Sequence, residues 1–288
     1  MILVTGATGK VGTLLIKRLS ARGANVRAFA RNAQHKLSFP GVEFVRGDFR
    51  DPATFLTALD GVDRLFLLIP SSAEVENQQK AFVDAAKQRN VRHIVNLSQL
   101  GANEHSTGRF QRYHGAVENY IRQTGLAFTF LRPNLFMQAL LSFRSTISSQ
   151  GALYTPAGDG RISLIDARDI AAVAERTLVE SGHEGKVYTI TGPQALTHTE
   201  IAAQLSEALG KPVHYIDISP DRMRETLLSV GLPPWQADGV VEDYDQYRNG
   251  EAAEVTSTVK QVTGHEPYTF SEFARDYVPD FRTKAAPA

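Results

Sequence analysis

Glycines stand at positions 6, 9 and 12, between an apolar strand-type run (residues 2–5) and a helix-patterned segment (residues 11–22) with Val11, Leu14, Leu15 and Leu19 at helical spacing. Strand, glycine turn and helix in this order narrow the fold more than any other feature of the chain. The spacing lets the backbone turn sharply and approach a diphosphate, while the helix start offers N–H groups and the positive end of its dipole. A side chain at Gly6 or Gly9 would obstruct that approach, and one at Gly12 would push the helix off the strand. A connector holding no ligand needs one such glycine, not three. Thr8, Lys10 and Val11 belong to the same turn and count with the glycines as candidate cofactor contacts.

Downstream, short β-type runs alternate with amphipathic segments. Strands are expected at residues 25–30, 42–46, 64–69, 93–97 and 127–131, and helices at 52–59, 74–88 and 109–123. This predicts an α/β protein with a doubly wound parallel sheet and a switch point near its middle. Past Pro133 the alternation loosens. A helix over 134–148, a glycine- and proline-rich loop over 151–161, a helix over 166–179 and a strand over 186–190 that rejoins the main sheet are expected. A helix over 197–209 follows, opened by a Thr197/Glu200 capping box, then a strand at 214–218, helices at 222–230 and 235–246, and a frayed tail at 284–288. The chain divides into a dinucleotide-binding domain (1–150) and a smaller C-terminal α/β lobe (151–288), partly interleaved with the first sheet.

The end of the second strand selects the nucleotide. A carboxylate there would accept from a free ribose diol; the chain has Arg31-Asn32 instead, and a guanidinium grips a 2′-phosphate bidentately, favouring NADPH over NADH. Arg31 also reads as a solvated strand-end residue. Asp48 and Phe49, after the third strand, could receive the adenine amino group and its ring face. The balance of 31 basic and 31 acidic residues argues against nucleic acid or an acidic membrane as partner. The absence of cysteine excludes disulfides and thiolate metal sites, and no apolar run approaches a membrane span, so a cytoplasmic protein is expected.

These motifs, together with Gly47-Asp48 and Leu131-Arg132-Pro133-Asn134, resemble the NmrA-like branch of the atypical short-chain dehydrogenase/reductases, over most of the chain. The segments 157–161 and 182–188 are similar to those of NADPH-dependent quinone oxidoreductases and triphenylmethane reductases of that branch. The resemblance implies an extended Rossmann domain, cofactor contacts at Ile69-Pro70-Ser71 and near Ser98, and Pro133 and Asn134 beside the nicotinamide.

One departure bears on chemistry. The wider superfamily uses Tyr-x-x-x-Lys, yet Tyr113 is followed four residues later by Val117, and no tyrosine has lysine at that spacing. The helix carries His114 and Glu118 instead, one turn apart, so Glu118 could raise the proton affinity of His114 or orient it as a proton donor. The pair reads also as a structural or cofactor-positioning contact. Phe136, Phe143, Tyr154 and Trp235 could form an apolar substrate pocket, and core packing would explain them as well. Without the dyad, acceptors that take hydride readily, quinones or delocalised dyes, are favoured over simple ketones. The alternative is a non-catalytic, redox-sensing NADP-binding regulator of the NmrA type. A homodimer or a protein partner stays open.

Overall fold

The computed structural model describes residues 1–32 and 39–282, and the 284–288 tail lies outside them. The chain packs as two compact units, one of Met1–Pro133 and Ala167–Thr189, the other of Asn134–Asp166 and Ile190–Ala288.

The first unit runs β1 (Ile2–Val4), α1 (Lys10–Ala21), β2 (Val26–Ala30), β3 (Val42–Arg46), α2 (Ala53–Ala58), β4 (Arg64–Leu67), α3 (Val75–Gln88), β5 (His93–Leu97), α4 (Arg109–Thr124) and β6 (Ala127–Pro133). The second unit opens with a 3-10 helix (Met137–Phe143), α5 (Arg144–Gln150), β7 (Ala152–Thr155) and β8 (Arg161–Ile162). The chain then returns to the first unit for α6 (Ala167–Val179) and β9 (Lys186–Ile190). It closes the second with β10 (Leu196–Thr197), α7 (His198–Leu209), β11 (His214–Asp217), α8 (Pro220–Ser229), α9 (Pro234–Arg248), α10 (Thr258–Thr263), α11 (Phe270–Asp276) and α12 (Val278–Arg282).

The main sheet has seven strands in the order β3-β2-β1-β4-β5-β6-β9, and β9 joins its edge as the sequence predicts. β1 pairs in parallel with β2 on one side (Leu3 opposite Arg27) and β4 on the other (Leu3 opposite Leu65), so strand order reverses there, at the expected switch point. Helices cover both faces, which is why Leu3, Val4, Ala28, Phe66, Ile94 and Val95 are buried without alternation. α1 lays Val11, Leu15, Ile16 and Leu19 against the sheet. It is tied to α6 by Arg18 and Arg22, which both pair with the buried Glu175. Among the described residues no helix is long and apolar enough to cross a membrane.

Three expectations for the later segment are corrected. Residues 134–148 do not form one helix: the Phe136–Ile165 bridge keeps the chain extended, and a 3-10 turn precedes α5. Residues 134–150 pack with the second unit. The 151–161 stretch is a loop only over 156–160. Gly151, at φ +62°, ends α5 and starts β7, which pairs in parallel with β11, while β8 pairs antiparallel with β10. Its glycines thus punctuate short strands. The Thr197/Glu200 capping box forms as predicted, and a second one, Thr269/Glu272, opens α11.

Candidate functional site

The carboxyl ends of β1, β4 and β5, with the turn into α1, gather the candidate residues of the first unit. Thr5 pins β1 to β4: its backbone N–H donates to Phe66 O, and its hydroxyl accepts from Leu68 N–H at 2.7 Å. Gly6 then adopts φ +60°, and a Cβ there would sit 2.8 Å from the Leu68 side chain. At Gly12 a Cβ would meet Gly6 O at 2.1 Å, so the helix start and the turn are in backbone contact. α1 begins at an N-cap glycine, Gly9, with no side-chain cap and no acidic residue in its first turn. An uncapped, acid-free helix start behind a glycine cradle fits the diphosphate of a dinucleotide. Thr8, Gly9 and Lys10 are exposed at this turn, whereas Val11 and Gly12 are buried.

Arg31 is exposed at the end of β2. Gly47 N–H donates to Ala30 O at 3.0 Å, which brings the residues after β3 alongside those after β2. Asp48 does not offer its carboxylate to solvent alone: Arg50 donates from its backbone N–H at 2.9 Å and from its guanidinium at 2.6 Å. Those bonds, with Arg31 as a lesser contributor, pull the Asp48 carboxyl down to about 2. Phe49 packs on Phe29 and Phe82, with ring centres 5.0 and 5.4 Å away.

After β4, Ile69 is buried, Pro70 exposed, and the Ser71 hydroxyl lies 2.9 Å from the Tyr113 hydroxyl. This contact was not anticipated, because its members are 42 residues apart in the chain. Ser98, at the end of β5, donates to Glu118 at 2.6 Å. Glu118, with no exposed side chain, also takes two bonds from Arg132, at 2.8 and 2.6 Å, and one from Arg122 at 3.3 Å. An acid on the inner face of α4, beside Tyr113, Val117 and Ile121, was the available sign of this anchor.

The coupling of Glu118 to His114 as a proton donor is corrected. Glu118 is engaged by Ser98 and the two arginines, and His114 leaves Nδ1 buried with no hydrogen-bond partner. Burial, aided by the Arg132 charge, pushes the imidazole down to about 3, so it is neutral near pH 7, and it lies tilted against Tyr113 with ring centres 4.1 Å apart. The Asn134 amide is committed too, donating to Ser163 Oγ and Ala252 O, both at 2.9 Å. Its two N–H bonds are thereby used, leaving none for a nicotinamide. Pro133 O accepts from Leu100 N–H. In the second unit Phe136 forms the bridge to Ile165, Tyr154 donates to Gln150 at 2.8 Å, and Trp235 lies half-buried in the first turn of α9.

His198, in the second unit, packs against Tyr215 and Tyr244 with both ring nitrogens unpartnered, and burial pushes it down to about 4. Both His114 and His198 are neutral in the native state, whereas an unfolded histidine titrates near 6.5. As pH falls from about 6.5 towards 4, the unfolded chain binds the additional protons, so native stability declines. The expected slope is up to about 1.4 kcal/mol per pH unit per histidine. Urea midpoints at pH 7 and pH 5 measure it, and His198→Leu should flatten the dependence; an unchanged slope would refute the assignment for His198.

Comparison with known proteins places these features in context. The NmrA-like family model matches residues 1–274. The NAD(P)H azoreductase of Xenophilus azovorans is 38% identical over 98% of this chain and 99% of its own. The NADPH-dependent quinone oxidoreductase of Escherichia coli, solved with NADPH, superposes with a TM-score of 0.85 at 30% identity, covering 96% of this chain and 99% of that one. The triphenylmethane reductase of Citrobacter sp., solved with NADP(H), does so with a TM-score of 0.85 at 29% identity, over 96% and 100%.

Proposed function

This chain belongs to the NmrA-like family, and on that premise we propose that it is an NADPH-dependent reductase that delivers hydride to quinone-like, azo or other delocalised acceptors. The observation that carries the reading is the turn itself. Three glycines, two of them without room for a side chain, lead into an uncapped helix whose first turn holds no acid, and Arg31 stands at the end of the next strand. The names of the azoreductase, quinone oxidoreductase and triphenylmethane reductase relatives support the same acceptor class.

Gly6, Thr8, Gly9, Lys10, Val11 and Gly12 hold the diphosphate, Arg31 the 2′-phosphate, and Ile69, Pro70, Ser71 and Ser98 the strand-end side of the nucleotide. The chemistry NADPH supplies when bound is donation of a hydride. The protein supplies position and a proton: His114 is neutral, and the Ser71–Tyr113 hydroxyl pair is the proton relay we assign to the reduced acceptor. Acceptors whose reduced form spreads its charge need no more than this, consistent with the missing lysine.

Steady-state NADPH oxidation with quinones, azo dyes and triphenylmethane dyes tests the reading, with calorimetry on the nucleotides alone. Turnover with at least one acceptor class is expected. Tight binding without turnover would overturn the enzyme and favour a nucleotide-sensing regulator. Arg31→Asp should lower the ratio of NADPH to NADH affinity by roughly tenfold or more, equivalent to about 1.4 kcal/mol. An unchanged ratio in competitive calorimetry would remove Arg31 from the site.

A further inference from the structure

We propose that Arg50 is a second specificity-determining cation for the nucleotide's 2′-phosphate, and that Asp48 is the positioning residue that holds it beside Arg31. The inference rests on the reading of this strand edge as the NADPH site, and adds a residue and a coupling that the glycine turn and Arg31 do not contain.

The placement follows from the register of the two outer strands. Ala30 pairs with Arg46, and Gly47 N–H donates to Ala30 O, so β2 and β3 end together and release Arg31 and Asp48 side by side. A substituent at Gly47 would have to displace the Phe29 ring, whose edge lies 1.9 Å from where a Cβ would stand. That close approach, with Phe49 packed on the same ring, fixes the path of the backbone into Asp48 and Arg50. Arg50 then folds back. Its backbone N–H bonds one Asp48 oxygen at 2.9 Å, its Nε contacts both at 3.1 and 3.2 Å, and its terminal nitrogen takes the other at 2.6 Å. The Arg50 side chain nevertheless remains 74% exposed, so the guanidinium keeps donors directed away from the carboxylate.

An exposed ion pair contributes little to folding. Its effect here is on charge at the strand edge. A lone carboxylate beside Arg31 would cancel that guanidinium and repel a 2′-phosphate. With Arg50 present, two guanidiniums flank one carboxylate and the edge carries one net positive charge. Loss of Arg50 removes a cation and unmasks an anion, whereas loss of both members returns the edge to the charge of Arg31 alone. The consequence is non-additive: removing the acid should repair the defect left by removing the base.

Calorimetric titration of NADPH and NADH into the full-length protein and its Arg50→Gln, Asp48→Asn and double variants tests this. Arg50→Gln should weaken NADPH roughly tenfold, the effect of one charge-assisted contact, and NADH less than about twofold. It should also flatten the salt dependence of NADPH binding. The double variant should recover most of the NADPH affinity, and Arg50→Lys should retain part of it. An equal loss for both nucleotides in Arg50→Gln, or a double variant no better than Arg50→Gln, would overturn the proposal. If the parent protein prefers NADPH and Arg31→Asp removes that preference while Arg50→Gln leaves it intact, this inference alone fails. A parent protein that binds neither nucleotide overturns the NADPH reading along with it.

Discussion

Replacing Gly12 with alanine is expected to lower NADPH affinity by about 100-fold or more, equivalent to roughly 2.7 kcal/mol. The added carbon would stand 2.1 Å from Gly6 O, 2.8 Å from Gly6 C and 3.0 Å from the Ala7 Cα. All three atoms are backbone, so no side chain can swing aside. Either α1 moves outward or the turn opens, and both displace the helix start from the Gly6–Gly9 cradle. Overpacking of this kind also destabilises the fold, by about 1–3 kcal/mol. Two further variants separate binding from stability. Gly9→Ala meets only Gly6 O, at 3.2 Å, and should be milder. Gly23→Ala, at φ +72° with nothing within 4 Å, should cost stability through backbone strain and leave nucleotide affinity alone. A Gly12→Ala protein that binds NADPH like the parent would show that the turn does not carry the diphosphate.

Truncation of Glu118 to alanine is expected to destabilise the protein by about 3–5 kcal/mol, read as a lowered urea midpoint. This carboxylate is fully buried and receives Ser98, Arg132 and Arg122 at once, joining the end of β5 to β6 and α4. Without it the Arg132 guanidinium is left facing a cavity and the Ser98 hydroxyl loses its acceptor. The cost comes from the stranded groups more than from the lost bonds, so Glu118→Leu combined with Arg132→Met should recover a substantial part of the stability. A Glu118→Ala variant that unfolds at the parent midpoint would mean that the network does not tie these elements together.

The features readable from the sequence are those whose geometry is local. A strand, three glycines and a helix declare a turn within twelve residues, and Thr197 with Glu200 declares a helix start within four. The parallel sheet followed from the alternation of apolar runs, because the central strands β1, β4 and β5 are buried on both faces. β8 and β10 escaped notice because each is two residues long and is defined only by its partner, as Leu196 pairs with Ile162. The same distinction divides the site. Arg31 could be read from its position after a strand, and the Asp48-Phe49-Arg50 spacing held a local ion pair that the sequence reading passed over. Glu118 lies 20 residues from Ser98 and 14 from Arg132, so spacing suggested His114, its neighbour on the helix, as the partner. The neutral state of His114 depends on burial, which periodicity does not report.

The chain leaves the first unit after Pro133, returns with α6 and β9, and leaves again after Thr189. A stop codon placed at residue 133 would therefore not liberate an autonomous nucleotide-binding fragment. It would strip the sheet of its edge strand and deprive Arg18 and Arg22 of Glu175, their shared counter-ion. Excision of the second unit would require three cuts, after Pro133, Asp166 and Thr189, and a religated backbone. Gene-fusion and domain-exchange experiments on this scaffold must accordingly transplant both segments of a unit together.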